Sequence, residues 1–517
     1  MLEKNDLRTS VPFLIRGKDQ SASVSQCQCD CACETPLSSV KSGRLDQDQL
    51  GLADAIVSDT RYIRSPIYSV NPITIGFSRF FAILGPDGVS TANSSALEVI
   101  DYFQQYNSFQ EASSHWEKKW GKDQAQKILN ELIESKIIVP EGHAESELTR
   151  KSEVLSAWLH ITDRCNLRCA YCYLPHKKED MSLETGKKAI DAIFRSAVKH
   201  NYREIKLKYA GGEPLLNFEK VRVLHDYALD LARPGLFSKE GISLRGIILS
   251  NGTRLTPDMV HAMRSSGLNL MISLDSIKSK QGNPRTYADG RDSSADVVES
   301  IETALDHGLV PDISVTVSGR NANELPEIVT WLMERDISFS LNFYRENDYS
   351  AKQDDLQLEE EKIIESMRAA YKIIEENLPD RALLNCLIDR VSISAPHETA
   401  CAAGESYLVF DPQGNVRKCQ MQDPVSDSIS ASIKDDDPLG KIRADTQGIQ
   451  NFSVDEKSEC ASCEWKYWCA GGCPLTAYRT TGSYQKKSPN CHIYQELLPD
   501  AVRLEGLRLL EHCDQTQ

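Results

Sequence analysis

The cysteines are the residues whose type and spacing point to chemistry. Sixteen of them stand in 517 residues, grouped as Cys27 to Cys33, Cys165 to Cys172 and Cys386 to Cys513, and the 213 residues between Cys172 and Cys386 hold none. The middle group reads CNLRCAYC, that is Cys165-x3-Cys169-x2-Cys172. Three thiolates at this spacing can reach three irons of a 4Fe-4S cubane and leave the fourth iron without a protein ligand. A molecule with an amino and a carboxylate group can chelate that iron, and such a cluster can be reducing enough to pass an electron to a sulfonium. The competing reading is a zinc site or buried thiols. Structural zinc wants four closed ligands, and no fourth Cys or His is adjacent, although His176 follows four residues on.

The third group is longer. Cys401 is followed by twelve residues to Gly414 and four more to Cys419; then come Cys460-x2-Cys463-x5-Cys469-x3-Cys473 and seventeen residues to Cys491. A zinc ribbon or treble clef could use the C-x2-C and C-x3-C pairs, and iron-sulfur ligation is the alternative. The first group, CQCDCACE, places Cys27, Cys29, Cys31 and Cys33 at every second residue. A tail that picks up stray metal, a bridged metal site and a self-modified peptide mimic are all open for it.

The elements that must position these thiols can be read from periodicity. LSAWLHIT, IKLKYA, GIILS, LNLMISL, PDISVTV and ISFSLNFY are apolar runs of strand length separated by helical stretches such as LETGKKAIDAIFRSAVKH. Six alternating units imply an α/β fold, a parallel sheet wrapped by helices through right-handed crossovers, and an open, partial (β/α)6 barrel of TIM-like type. Functional residues of such folds gather at the carboxyl ends of strands. Cys165 follows the first strand, Gly211, Gly212 and Glu213 the second, Ser250 and Asn251 the third, Ser273 and Asp275 the fourth. Upstream, ITIGFSRFFAILGPDGVSTAN predicts a hairpin across Gly-Pro-Asp-Gly, and three helices follow in SSALEVIDYFQQY, FQEASSHWEKKW and DQAQKILNELIESK before IIVPEG. The expected organisation is a disordered or extended arm over 1–60, a winged-helix module over 61–148, the barrel over 149–385 and a cysteine-rich domain over 386–517.

Composition sets limits. The net charge is -16, against a partner whose binding needs many phosphates neutralised, so nucleic acid is not expected. No apolar run approaches the roughly 20 residues of a membrane span, and no export signal is legible, so a cytoplasmic address with reduced thiols is expected.

CNLRCAYC with Tyr171 before its last cysteine, and Gly-Gly-Glu-Pro after the second strand, resemble the radical S-adenosylmethionine (SAM) superfamily. The spacing from Cys401 to Cys491 resembles the seven-cysteine pattern of SPASM domains. The order winged helix, barrel, SPASM domain resembles the maturases of ribosomally made peptides, with a PqqD-like precursor-recognition module at the front. The resemblance implies SAM and three 4Fe-4S clusters: one on Cys165, Cys169 and Cys172, one on Cys401, Cys419 and Cys473, one on Cys460, Cys463, Cys469 and Cys491. Some members supply a further ligand where this chain has Ala395, which leaves the second set open or completed by Cys386. It implies that Gly211, Gly212, Glu213, Ser250, Asn251, Ser273 and Asp275 line the SAM pocket; Arg285 and Arg291 both fall in the stretch where the family carries an arginine, and neither is preferred. It further implies a precursor peptide whose leader adds as an extra strand beside the hairpin, and a low-potential electron donor such as flavodoxin or ferredoxin. The implied reaction is hydrogen abstraction by a 5′-deoxyadenosyl radical, ending in a thioether or carbon-carbon crosslink. Formylglycine formation of the sulfatase-maturating kind and a non-catalytic zinc-containing peptide adaptor are the alternatives. No acid-base dyad stands out, so catalytic side chains are unassigned.

Overall fold

The computed structural model describes residues 11–17, 60–142, 152–278, 283–348, 350, 353–421 and 431–512. Cys27, Cys29, Cys31, Cys33 and Cys513 lie outside the described residues.

The first unit holds β1 (Leu14–Arg16), β2 (Arg61–Arg64), β3 (Ser69–Ile75), β4 (Ser78–Gly85), β5 (Gly88–Asn93), α1 (Ser94–Tyr102), β6 (Asn107–Ser108), α2 (Phe109–Trp120), α3 (Lys122–Glu134) and β7 (Ile138–Pro140). Asn93 starts α1 by accepting the Ala96 N–H at 3.0 Å, and a reciprocal Ser108/Glu111 capping box starts α2. The expected hairpin is a three-strand meander, because β3 also pairs with β4 along its whole length around Gly76 (φ +58°). Within the arm, residues 14–16 are extended: β1 pairs antiparallel with β5 and makes the sheet order β1-β5-β4-β3.

The barrel follows as β8 (Val154–Thr162), α4 (Leu183–Lys199), β9 (Glu204–Gly211), α5 (Phe218–Ala232), β10 (Ser243–Ser250), α6 (Pro257–Ser266), β11 (Leu268–Ser273), α7 (Ser294–Asp306), β12 (Asp312–Val317), α8 (Leu325–Met333), β13 (Phe339–Phe343) and α9 (Glu360–Glu376). The six strands are parallel neighbours in sequence order. Helix α4 shows why: Ser182 caps it, and its apolar stripe of Ala189, Ile190, Ile193 and Phe194 is fully buried. Gly186 leaves room for Leu224 of α5, which an added Cβ would meet at 2.6 Å.

The last unit holds β14 (Tyr407–Phe410), β15 (Asn415–Arg417), β16 (Ala431–Ser432), α10 (Pro438–Ala444), α11 (Lys466–Cys469), α12 (Pro474–Thr481) and α13 (Cys491–Glu511). Strand β14 pairs parallel with β8, so the cysteine-rich unit extends the barrel sheet on its first-strand side. Helix α13 lies against the first sheet: an added Cβ on Gly506 would meet Ala82 Cβ at 2.6 Å and Ile73 Cδ1 at 2.7 Å. Its buried Glu505 accepts the Leu383 N–H at 2.9 Å and pairs with buried Arg508 at 2.7 Å. The hydrogen bonds offset the desolvation of both charges. Among the described residues, no helix is long and apolar enough to cross a membrane.

Gly506→Leu overfills the seam between α13 and the first sheet and is expected to destabilise the chain by about 1–3 kcal/mol, read as a lower midpoint in urea unfolding followed by tryptophan fluorescence.

Candidate active site and cluster sites

The loop that leaves β8 carries Cys165, and the end of β9 holds it in place. Gly212 N–H donates to Thr162 O at 2.7 Å and Glu213 N–H to Arg164 O at 2.9 Å. Gly211 adopts φ +129°, and a Cβ on either glycine would collide with the carbonyl oxygen of Thr162 or Arg164. Only glycine permits that approach. Glu213 is fully buried: its Oε1 accepts the Leu215 N–H (2.9 Å) and the Ser250 hydroxyl (2.8 Å), its Oε2 the Asn251 N–H (2.7 Å). Burial pushes its carboxyl pKa up, against those hydrogen bonds. Glu213 and Ser250 therefore tie the ends of β9 and β10 together.

Asn251 reaches the cluster loop. Its Nδ2 donates to Asn166 Oδ1 at 3.0 Å and to Cys165 Sγ at 3.7 Å, while its Oδ1 accepts from Thr253. Asp275 accepts the Thr316 N–H at 2.7 Å and the Tyr171 hydroxyl, and Arg285 donates to that hydroxyl at 2.6 Å. Ser273 is half-buried at the end of β11. Between the two candidate arginines the structure decides: Arg285 is buried beside Cys169 and Asp275, whereas Arg291 is exposed and paired with Asp289.

The described thiols fall into three sets. Cys165, Cys169 and Cys172 act on one another electrostatically; burial pushes Cys165 and Cys172 up to about 12 and raises Cys169 against the pull of Arg285. Backbone N–H groups of Leu167 and Leu174 point at Cys165 Sγ and Cys172 Sγ at 3.4 and 3.5 Å. Cys401, Cys419 and Cys473 form the second set. Burial would raise Cys473, but Arg345 and Arg390 outweigh it and hold the thiol below its usual value. Cys386 stands elsewhere: its thiol faces Leu383 O at 3.6 Å, beside Arg381 and Glu505. Cys460, Cys463, Cys469 and Cys491 line one cavity of about 50 Å³ with Trp465, Tyr494 and Gln495.

This donor set fits iron-sulfur clusters. Among the described residues, ten of the thiols group three, three and four. N–H···S contacts and nearby cations are the devices that stabilise a cluster's negative charge. Lys457, fully buried, donates to Ala470 O at 3.0 Å and faces both Cys460 and Cys469 of one set and Cys401 and Cys473 of the other. The sequence singles out Tyr171, next to Cys172, as part of the motif, but not Lys457, Arg345 or Arg390, because a lone cation there looks like any other.

Trp158 of β8 packs with Ala210, Tyr407, Val409 and Cys401, and fully buried Lys208 lies 5.8 Å from the Trp158 ring centroid. His160, also buried, is held neutral: burial first, then Arg417, depress its pKa to about 3.

Residues 159–332 match the family model described as the radical SAM superfamily. They are a radical SAM domain. The Fe-coproporphyrin III synthase of Methanosarcina barkeri is 23% identical over 398 residues, covering 68% of this chain and 90% of that one. The subtilosin biosynthesis protein AlbA of Bacillus subtilis is 24% identical over 413 residues, 74% and 82% of the two chains. Other alignments, at 28% and 27% identity, cover 61% and 55% of the relatives they match. The structure of native anSMEcpe with bound AdoMet and Cp18Cys peptide superposes with a TM-score of 0.55 at 17% identity, over 69% of this chain and 98% of that one. That likeness shows the fold, a partial barrel followed by a cysteine-rich unit.

Two outcomes follow. Glu213→Ala strands the Ser250 hydroxyl and two N–H groups and is expected to cost about 1–3 kcal/mol per unsatisfied group, seen as a lower thermal midpoint and weaker SAM binding in calorimetry. His160 binds a proton more readily unfolded than folded, so its contribution is complete above pH 6.5 and is lost as pH falls from there towards 3. His160→Gln is expected to flatten the fall in urea midpoint between pH 6.5 and 4.5.

Proposed function

We propose that this radical SAM enzyme modifies a ribosomally made precursor peptide, binding the leader on its N-terminal module and installing a thioether or carbon-carbon crosslink in the barrel. The observation that carries the reading is the grouping of thiols. One set of three sits at the first strand end and two further sets in the last unit. AlbA, a bacteriocin biosynthesis protein by its name, supports a peptide as substrate.

A reduced cluster on Cys165, Cys169 and Cys172 supplies, when bound, the electron that splits SAM into methionine and a 5′-deoxyadenosyl radical. The chain's own residues supply position and enclosure. Gly211 and Gly212 offer backbone groups free of side chain at the mouth, where a methionine amino group would bind. Asn251 holds Cys165 by its amide, and Tyr171 is locked between Asp275 and Arg285, so the loop presents its thiols without a search over rotamers. Trp158, Tyr407 and Val409 pack as a buried apolar cluster against Cys401, an environment from which water is excluded, and exclusion of water keeps a reactive carbon centre from side reactions. In the second set three cysteines stand without a fourth; Arg345 and Arg390 favour an anion there, and a substrate thiolate is the ligand of matching charge. The third set, with four cysteines, is closed. A flavodoxin- or ferredoxin-like protein would bring the electron.

Anaerobically reconstituted protein with dithionite is expected to release 5′-deoxyadenosine from SAM, and Cys165→Ala to lower the yield at least about a thousandfold. Mass spectrometry of a short cysteine-bearing peptide encoded beside the gene separates the chemistries: loss of two hydrogens with an internal crosslink supports the proposal, whereas an aldehyde from one residue points to formylglycine formation. Iron near twelve atoms per chain is expected on analysis, and zinc in its place overturns the reading. Arg285→Leu removes a buried cation beside Cys169 and is expected to lower the midpoint potential of the first cluster in an EPR-monitored titration, with the two other signals unmoved.

A further inference from the structure

The edge of β5 is filled by the chain itself. Leu14, Ile15 and Arg16 face Ala92, Thr91 and Ser90 in antiparallel register, so β1 satisfies an edge that would otherwise stand open for any extended peptide. The groove between β5 and α3 holds β1 mainly by its main chain. Asn93 donates to Val11 O at 2.7 Å and accepts the Phe13 N–H at 3.4 Å, and Gln124 of α3 donates to Pro12 O at 2.9 Å. Two side chains add selectivity. Leu14 is buried in the cluster that contains Ala92, Ile128, Leu129 and Leu132, and Arg16 pairs with Glu134 at the far end of α3, 2.5 Å away.

The receptor side does not depend on β1 for its shape. Asn93 is already fixed as the cap of α1, β5 is held by β4 over its whole length, and Gln124 and Glu134 ride on a helix with its own buried stripe. A pre-shaped groove that reads mostly backbone, with one apolar pocket and one acidic anchor, is the pattern of a site for strand addition. Only three residues of β1 are in the ladder, and residues 18–59 lie between it and β2.

We propose that the groove between β5 and α3 is a peptide-docking site which β1 occupies in cis. It is given up to an incoming extended segment of the same chemistry: an apolar residue at the Leu14 position followed two places later by a cation. This rests on the reading that the chain acts on a peptide held by its N-terminal module. Because β1 is covalently attached, a peptide in trans competes with an effective concentration on the order of a millimolar. The occupied groove rejects weak sequences, and a leader that matches the apolar pocket and the acidic anchor displaces β1.

The test uses the full chain and a fluorescein-labelled peptide with the sequence of residues 9–18, TSVPFLIRGK, followed by anisotropy. The unsubstituted chain is expected to bind it at least about tenfold more weakly than the full-length Leu14→Asp and Arg16→Glu variants, in which β1 is loosened. A probe carrying the Leu14→Asp change is expected to bind none of them, and adding Glu134→Lys to Leu14→Asp is expected to reverse the gain. Equal affinity for the unsubstituted chain and both variants, or no binding to either variant while its circular dichroism is unchanged, overturns the proposal. Arg16→Glu alters an exposed ion pair and keeps the test open where Leu14→Asp unfolds the module. Release of 5′-deoxyadenosine by the unsubstituted chain is measured separately: its absence fails the functional reading alone, since the anisotropy result stands on the groove.

Discussion

Two backbones come closer at the ends of β8 and β9 than any side chain would permit, and the rest of the site is built on that approach. The N–H groups of Gly212 and Glu213 bind the carbonyls of Thr162 and Arg164, which draws the start of the cysteine loop onto the mouth of the barrel. Glu213 then turns inward and fastens the end of β10 through Ser250 and Asn251. A buried carboxylate is costly unless its lone pairs are filled. Here three donors from two elements fill them, so the cost is converted into rigidity where the loop needs it. Asn251 carries the same chain of contacts on to Cys165.

Charge governs the other thiol sets in the same way. A row of buried thiols is protonated by default, since burial raises each pKa, and the structure answers with cations placed where sulfur groups converge. Arg285 stands at Cys169, Arg345 and Arg390 at Cys473, and Lys457 between the last two sets. Asp389 keeps Arg345 in place with a two-toothed pair at 2.6 and 2.7 Å. Each cation is therefore itself held, and its field acts on the sulfurs from a fixed position.

The three units are joined by packing and by sheet. Strand β14 continues the barrel sheet into the cysteine-rich unit, so Cys401 is anchored against the wall that Trp158 and Tyr407 form. Helix α13 returns to the first sheet and closes on it through Gly506, with no side chain to hold the two apart. First sheet, barrel mouth and the later thiol sets thus belong to one packed assembly.

Much of this was legible along the chain. Six apolar runs of strand length became six parallel strands because burial on both faces leaves a continuous apolar signature. The Cys165, Cys169 and Cys172 set is legible from spacing because its members are near neighbours, whereas the division of the later cysteines follows from the resemblance and not from spacing, since Cys473 stands between Cys469 and Cys491 in sequence. Glycines at 211 and 212 also announced themselves, because only one residue type fits such an approach. The structure alone decided whatever depends on distant parts meeting. It turned Glu213 and Ser250 into a clasp, chose Arg285 over Arg291, set Cys386 apart from Cys401 and placed Lys457 between two sulfur sets. It also laid residues 11–17 on β5. An arginine, a lysine or a short apolar segment carries no mark in sequence of the partner it will find, and its energy is defined only once packing has removed the water around it.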